Sequence, residues 1–225
     1  MRQIGPRAIE DWARDQTDGQ GDDFQDRRPR RIDEVRWQRY EGQLAEIFHA
    51  LGLEPGTPAT RDTAHRFLQA MYEATEGYEG DDKLLATFPT ETPDGRDRIL
   101  GQVVEGPIRF HALCEHHALP FFGSAFVAYL PSDRIVGISK LTRLVRLYAQ
   151  RFTVQERLGR QIVDGLEAIL RPHGAAVYLE AEHLCTQMRG VRDLETRTRT
   201  TLWRGAFETD AELRHEFLRT VELSR

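Results

Sequence analysis

Eleven residues in the C-terminal third, AAVYLEAEHLC from Ala175 to Cys185, constrain the fold of this chain more than any other stretch. Side chains of a β-strand alternate between two faces, so Val177, Leu179, Ala181, His183 and Cys185 fall on the same one. Three apolar positions followed by an imidazole and a thiol predict a strand that packs on a core and ends in chemistry. Such a strand needs a sheet around it. RILGQVVEGPIRFHAL reads as a strand region interrupted near Gly106 and Pro107, GSAFVAYLP as its hairpin partner, and TRTRTTLWRGAF as a further strand. Two amphipathic helices lie between: SKLTRLVRLYAQRF, with Leu141, Leu144, Val145 and Tyr148 inward, and TVQERLGRQIVDGLEAIL, stopped by Pro172 and Gly174. DAELRHEFLRTVEL predicts a closing helix. Strands split around a helix pair, rather than alternating with helices, give an α+β class.

The preceding residues divide in two. Apolar positions Val35, Tyr40, Leu44, Ile47, Phe48 and Leu51 recur at helical spacing from about Asp33, and a second helix is expected from Thr60–Asp62 through TAHRFLQAMYEATEGY. FPTETPDGRD then predicts a loop. Residues 1–33, dense in Arg, Asp, Gln and Gly, bury little and predict a mobile arm. The expected organisation is thus an arm over 1–33, a helical region over 34–80 and a β-rich catalytic domain over 81–225. A net charge of −5 excludes nucleic-acid binding by bulk charge, so any grip on phosphate must come from a local basic cluster. The absence of an apolar N-terminal run, or of one long enough to span a bilayer, predicts a cytoplasmic chain without membrane contact. With two cysteines the chain is no disulfide framework.

Those cysteines are placed suggestively. LCEHHALPFFG, Leu113 to Gly123, sets Cys114, Glu115, His116 and His117 in a row before an apolar run. Cys114 and His117 have the C-x-x-H spacing that lets both reach one ion, and Cys185 offers a third ligand from the alternating strand. Two thiolates and one imidazole, with water completing the set, are typical of catalytic zinc. Spacing alone leaves two other readings open: two buried small hydrophobes, or a Cys114–Cys185 disulfide. His116 and His183 remain as imidazoles able to move protons.

CEHH, GISKLTRLVRLYAQRFTVQERL and EAEHLCTQMRGVRD together resemble the GTP cyclohydrolase I family, from about Val35 to the C-terminus. The resemblance implies a tunnelling fold, in which an antiparallel sheet carries a pair of helices on one face and joins the sheets of other subunits into a barrel. It also implies a homodecamer with active sites between subunits. Zinc (Zn2+) is then held by Cys114, His117 and Cys185. The implied reaction opens the imidazole ring of GTP, loses formate and closes to 7,8-dihydroneopterin triphosphate. Zinc suits the first step because it lowers the pKa of bound water to about 7. His183 matches the catalytic histidine, and His116 a second active-site histidine. Glu156 and Gln155 match residues set against guanine, where a carboxylate accepts from two N–H groups and so rejects adenine. Ser139, Lys140, Arg143 and Arg189 match triphosphate contacts, Arg66 an arginine reaching a neighbour's site, and Glu115 the acidic member of CEHH.

Several readings compete. Thr153 and Glu156 also spell a T-x-x-E capping box, which would occupy the Glu156 carboxylate, and Ser139 is placed to cap its own helix. Ala64, Gln69 and Ala112 depart from residues common in the family, and Gln69 removes one charge from the expected phosphate site. A paralogue serving a deazapurine pathway or halting at the ring-opened formyl intermediate remains an alternative. So does an oligomeric scaffold with structural zinc. A zinc nucleobase deaminase is excluded by the lack of H-x-E and P-C-x-x-C.

Overall fold

The computed structural model describes residues 24–90 and 101–224. The chain opens with helix α1 (Glu34–Ala50), started by Asp33, whose carboxylate accepts from the Arg36 amide. Helix α2 (Thr63–Glu73) follows, then single 3-10 turns over Glu76–Glu79 and Asp82–Leu85. Edge-on ring contacts between Trp37 and Tyr72 and between Phe48 and Phe67 hold α1 to α2, yet α1 buries no residue fully.

The main sheet is built from β2 (Val103–Cys114), β3 (Pro120–Leu130), β5 (Phe152–Thr153), β6 (Gly174–His183) and β7 (Thr198–Gly205). Their order is β5-β2-β3-β6-β7, antiparallel throughout except for the short parallel pairing of β5 with β2. A bulge between Glu105 and Ile108 marks the interruption expected near Gly106 and Pro107. A two-stranded ladder, β1 (Thr87–Pro89) with β4 (Arg134–Val136), lies apart from it. The loop expected over FPTETPDGRD is thus strand at its start, and most of it lies outside the described residues.

Helices α3 (Ile138–Ala149) and α4 (Gln155–Leu170) pack on one face of the sheet. Leu141, Leu144, Val145 and Tyr148 of α3 point inward as their spacing predicts, beside Leu158, Ile162, Val163 and Leu166 of α4. Each such side chain contributes about 1.5–3 kcal/mol on burial. The opposite face is covered too. There α6 (Ala206–Thr209) and α7 (Ala211–Leu223) lay Phe207, Phe217 and Val221 on Phe126, Ala128, Ala176 and Tyr178. Double burial explains why β3 reads as a continuous apolar run from Ala125 to Leu130 rather than an alternating one.

Two expectations change. The alternating strand ends at His183, and the one-turn helix α5 (Leu184–Gln187) carries Cys185 instead. The arm expected to run to residue 33 is docked in its described part. Gln25 is buried and exchanges two hydrogen bonds with the backbone of Asp81, while Tyr148 donates to the Phe24 carbonyl. The cause is Arg151, 2% exposed, whose guanidinium donates to the carbonyls of Gln25, Asp26, Gly77 and Leu147.

Candidate active site

Strand register brings the candidate residues to one end of the sheet, on the face that carries α3 and α4. β2 ends at Cys114, β3 begins at Pro120 opposite Leu113, and Phe121 pairs with His183 at the end of β6. β5 runs beside Cys114 and leads directly into α4. Between β2 and β3 the chain turns tightly. The Cys114 carbonyl accepts from the amides of His117 and Ala118, and Ala118 takes a left-handed φ of 53°. This turn swings His117 back toward the sulfur of its own strand.

Cys114, His117 and Cys185 form the group able to hold a metal ion, with ligand atoms all within 4.8 Å of one another. Cys114 Sγ lies 3.7 Å from His117 Nδ1. With metal–sulfur and metal–nitrogen bonds of about 2.3 and 2.0 Å, a tetrahedral angle separates the two ligand atoms by about 3.5 Å. Both cysteines are free and buried. Burial, reinforced by the neighbouring Cys114, pushes the Cys185 thiol above its ordinary range, and a divalent cation is what stabilises two thiolates so close together. Donor type and spacing therefore fit the metal inferred from sequence. His116 Nδ1 is 3.9 Å from the same sulfur, and its exposed ring meets His117 edge-on at 6.1 Å.

His183 is held from two sides. Its ring stacks on Phe121 at 4.7 Å with 1° between planes, and Nε2 lies 2.9 Å from Gln155 Oε1. Burial pulls its pKa below the ordinary value, with the Glu156 carboxylate opposing. Phe121 is fully buried and anchors the site to the core, whereas its neighbour Phe122 is half-buried and lies against His111.

The first three residues of α4 have three different surroundings. Gln155 is buried against β7 and His183. Glu156 is exposed, and no hydrogen bond to a described residue involves its carboxylate. Arg157 makes a two-point ion pair with Glu115, which holds that carboxyl below its usual range. The capping box does not form. Thr153 lies in β5 with its hydroxyl on the Val154 carbonyl, and Val154 stands at the cap position without a side-chain bond. Ser139 does not cap α3 either, because Gly137 holds that position.

The residues matched to triphosphate contacts are only partly convergent in one chain. Ser139 and Arg143 line a groove of about 1210 Å³ along β2. Arg143 pairs with Asp81 at 3.0 Å, and Lys140 Nζ donates to the Lys83 carbonyl. Arg189 is exposed, near enough to Cys185 to favour its thiolate. Arg66 sits on α2, bonded to the Ala59 carbonyl at 2.8 Å, with no described contact to the cluster.

Sequence reasoning missed Arg157, Asp81 and Arg151. Nothing in their spacing distinguishes them from solvated surface charges, since all the hydrogen-bond partners of their side chains but Leu147 and Lys83 lie about 40 to 125 residues away along the chain.

Comparison with known proteins follows the same residues. The family model for GTP cyclohydrolase I matches residues 40–222. GTP cyclohydrolase 1 of Latilactobacillus sakei is 38% identical over 188 residues, covering 82% of this chain and 97% of the relative. That of Chlorobium chlorochromatii is 40% identical over 185 residues, covering 81% and 80%. That of Deinococcus radiodurans is 39% identical over 180 residues, covering 79% and 80%.

Proposed function

The chain belongs to the GTP cyclohydrolase I family, and from that premise we propose that it opens the imidazole ring of GTP, releasing formate and forming 7,8-dihydroneopterin triphosphate, with zinc held by Cys114, His117 and Cys185. The observation that carries this reading is the Cys-His-Cys group set at the same sheet end as His183. Zinc bound there supplies Lewis-acid activation of water at neutral pH.

The chain's own residues divide the remaining work. His183, braced on Phe121 and edged by Gln155, delivers a proton to a purine ring nitrogen as its bond to C8 breaks. Burial favours the neutral imidazole, so it first takes the proton that the attacking water gives up and then returns that proton to the ring nitrogen. His116, exposed beside the cluster, is the second proton carrier. Glu156, free of any capping duty, accepts from guanine N1–H and the exocyclic amine. Glu115, paired with Arg157, ties the His116–His117 turn to α4.

The triphosphate is taken by Lys140, Arg143 and Arg189 with Ser139, at a helix N-terminus that favours anions. Phosphate oxygens replace Asp81 as the partner of Arg143. Arg66 completes the site from a neighbouring subunit, which accounts for its distance from the cluster within one chain. Two open sheet edges support assembly. β5 covers β2 only at Leu113 and Cys114, and β7 has no described partner beyond β6. Unpaired strand edges are ready templates for another chain, and joining β2 of one copy to β7 of the next closes the tunnelling-fold barrel of a homodecamer. In this reading 34–80 is the helical region and 81–225 the catalytic domain.

The test is incubation of zinc-loaded protein with GTP, measuring formate and, after oxidation and dephosphorylation, neopterin fluorescence, with a chelated sample in parallel. Both products, each abolished by chelation, are expected. A ring-opened product without formate would identify a paralogue that halts early, and intact GTP beside bound zinc would refute the reading.

A further inference from the structure

We infer that Gln155 is the positioning residue of His183 and acts through it, without contacting guanine. This rests on the ring-opening reading above and departs from the role that the family resemblance implies for this side chain.

The amide of Gln155 is committed at both ends. Gln155 is 1% exposed, which leaves a nucleobase no path to it. Its Nε2 lies 3.0 Å from the Thr198 carbonyl and 3.1 Å from Thr200 Oγ1, with the Leu179 carbonyl at 3.5 Å. A backbone carbonyl only accepts, so the NH2 end must face β7. That turns Oε1 toward His183, 2.9 Å from Nε2. An amide oxygen only accepts as well, so the hydrogen in this bond belongs to His183 Nε2.

The neutral ring therefore carries its hydrogen on Nε2 and leaves Nδ1 as the bare nitrogen. No described residue bonds Nδ1, while Phe121 fixes the plane of the ring. Stacking sets the tilt, and Gln155 sets the rotation and the tautomer. One ring nitrogen is left to exchange a proton with substrate. The setting originates in the sheet, because Thr198 and Thr200 pair with Ala181 and Leu179, just before His183 on β6. β7 thus orients the imidazole through a buried amide, much as second-layer partners orient other functional histidines.

A double-mutant cycle tests this. Gln155→Met keeps the bulk of the side chain and removes both hydrogen-bonding ends. Zinc content should match wild type, kcat should fall about 10- to 100-fold, and KM for GTP should move less than about threefold. In a His183→Ala background, where ring opening is already lost, adding Gln155→Met should leave the calorimetric Kd for GTP unchanged. A more than tenfold weaker Kd in that background would overturn the inference and return Gln155 to the guanine. So would a wild-type kcat in Gln155→Met. Thr200→Val, which removes one of the acceptors of the amide and leaves the Thr198 carbonyl in place, should lower kcat several-fold if Gln155→Met fails to fold; an unchanged kcat would count against the positioning role. Wild-type protein that bound zinc and GTP but left the GTP intact would refute the ring-opening reading, and the Kd comparison would still decide what Gln155 touches.

Discussion

Glu156 shows how one position takes its role from the backbone around it. In sequence it completes a capping box, but Thr153 is drawn into β5 and its hydroxyl turns to the Val154 carbonyl. A carboxylate that caps nothing adds little stability, and one left exposed beside His183 is free for a ligand. Glu156→Gln should therefore leave stability within about 0.5 kcal/mol by urea unfolding. It should lower kcat/KM for GTP by about 100-fold or more, because guanine's two donors lose a charged acceptor. A stability loss above 1 kcal/mol, about that of a missing cap, would restore the capping role. The cluster separates in the same way. His183→Ala should retain zinc and lose ring opening, whereas Cys185→Ala should lose both. Full zinc and full turnover in Cys185→Ala would remove that residue from the ligand set.

Elements here are joined by a few polar fixtures that no periodicity announces. Arg151 is the main one, a buried cation between α3 and β5 that lies against the Tyr78 and Tyr148 rings at 5.2 and 5.1 Å. Its donors satisfy carbonyls from the N-terminal segment, the first 3-10 turn and the end of α3, and its own carbonyl accepts from Leu113, just before Cys114. Arg151→Leu strands those acceptors and should cost about 3–5 kcal/mol in urea unfolding. Limited proteolysis near residues 24–30 should accelerate in parallel. Wild-type stability would mean that water replaces the guanidinium. Gly123 is a second fixture. A Cβ there would stand 1.9 Å from the Glu180 carbonyl across β3 and β6. Gly123→Ala should therefore force the strands apart and cost about 1–3 kcal/mol, displacing His183 from Phe121 and lowering kcat.

At the scale of the whole molecule, the proposed assembly of the site from more than one chain would account for both the sheet's open edges and the distance of Arg66 from the cluster. Arg66→Ala and Cys185→Ala should each be poorly active alone. Dissociated, mixed and reassembled with zinc, they should regain activity, because some interfaces then combine an intact Arg66 with an intact Cys185. No recovery in an oligomer of normal size would mean that each chain completes its own site. Among the described residues no helix is long and apolar enough to cross a membrane.

The sequence alone determined whatever depends on local pattern. Alternation marked β6, the i, i+3, i+4 spacing of Leu141, Leu144, Val145 and Tyr148 marked the buried face of α3, and the strands split around a helix pair marked the α+β class. C-x-x-H with a distant cysteine marked the ligand candidates, because thiol and imidazole donors are read directly from residue type. Tertiary structure decided everything that depends on register and on long-range polar partners. It ended β6 at His183 and put Cys185 on a helical turn, released Glu156 from its cap, gave Glu115 to Arg157, docked Gln25 and Asp26 on Arg151, and buried Gln155 against β7. The physical reason is range. Side-chain periodicity is set by the geometry of neighbouring residues. A hydrogen bond between Gln155 and Thr198 exists only once the whole sheet has fixed where both strands lie.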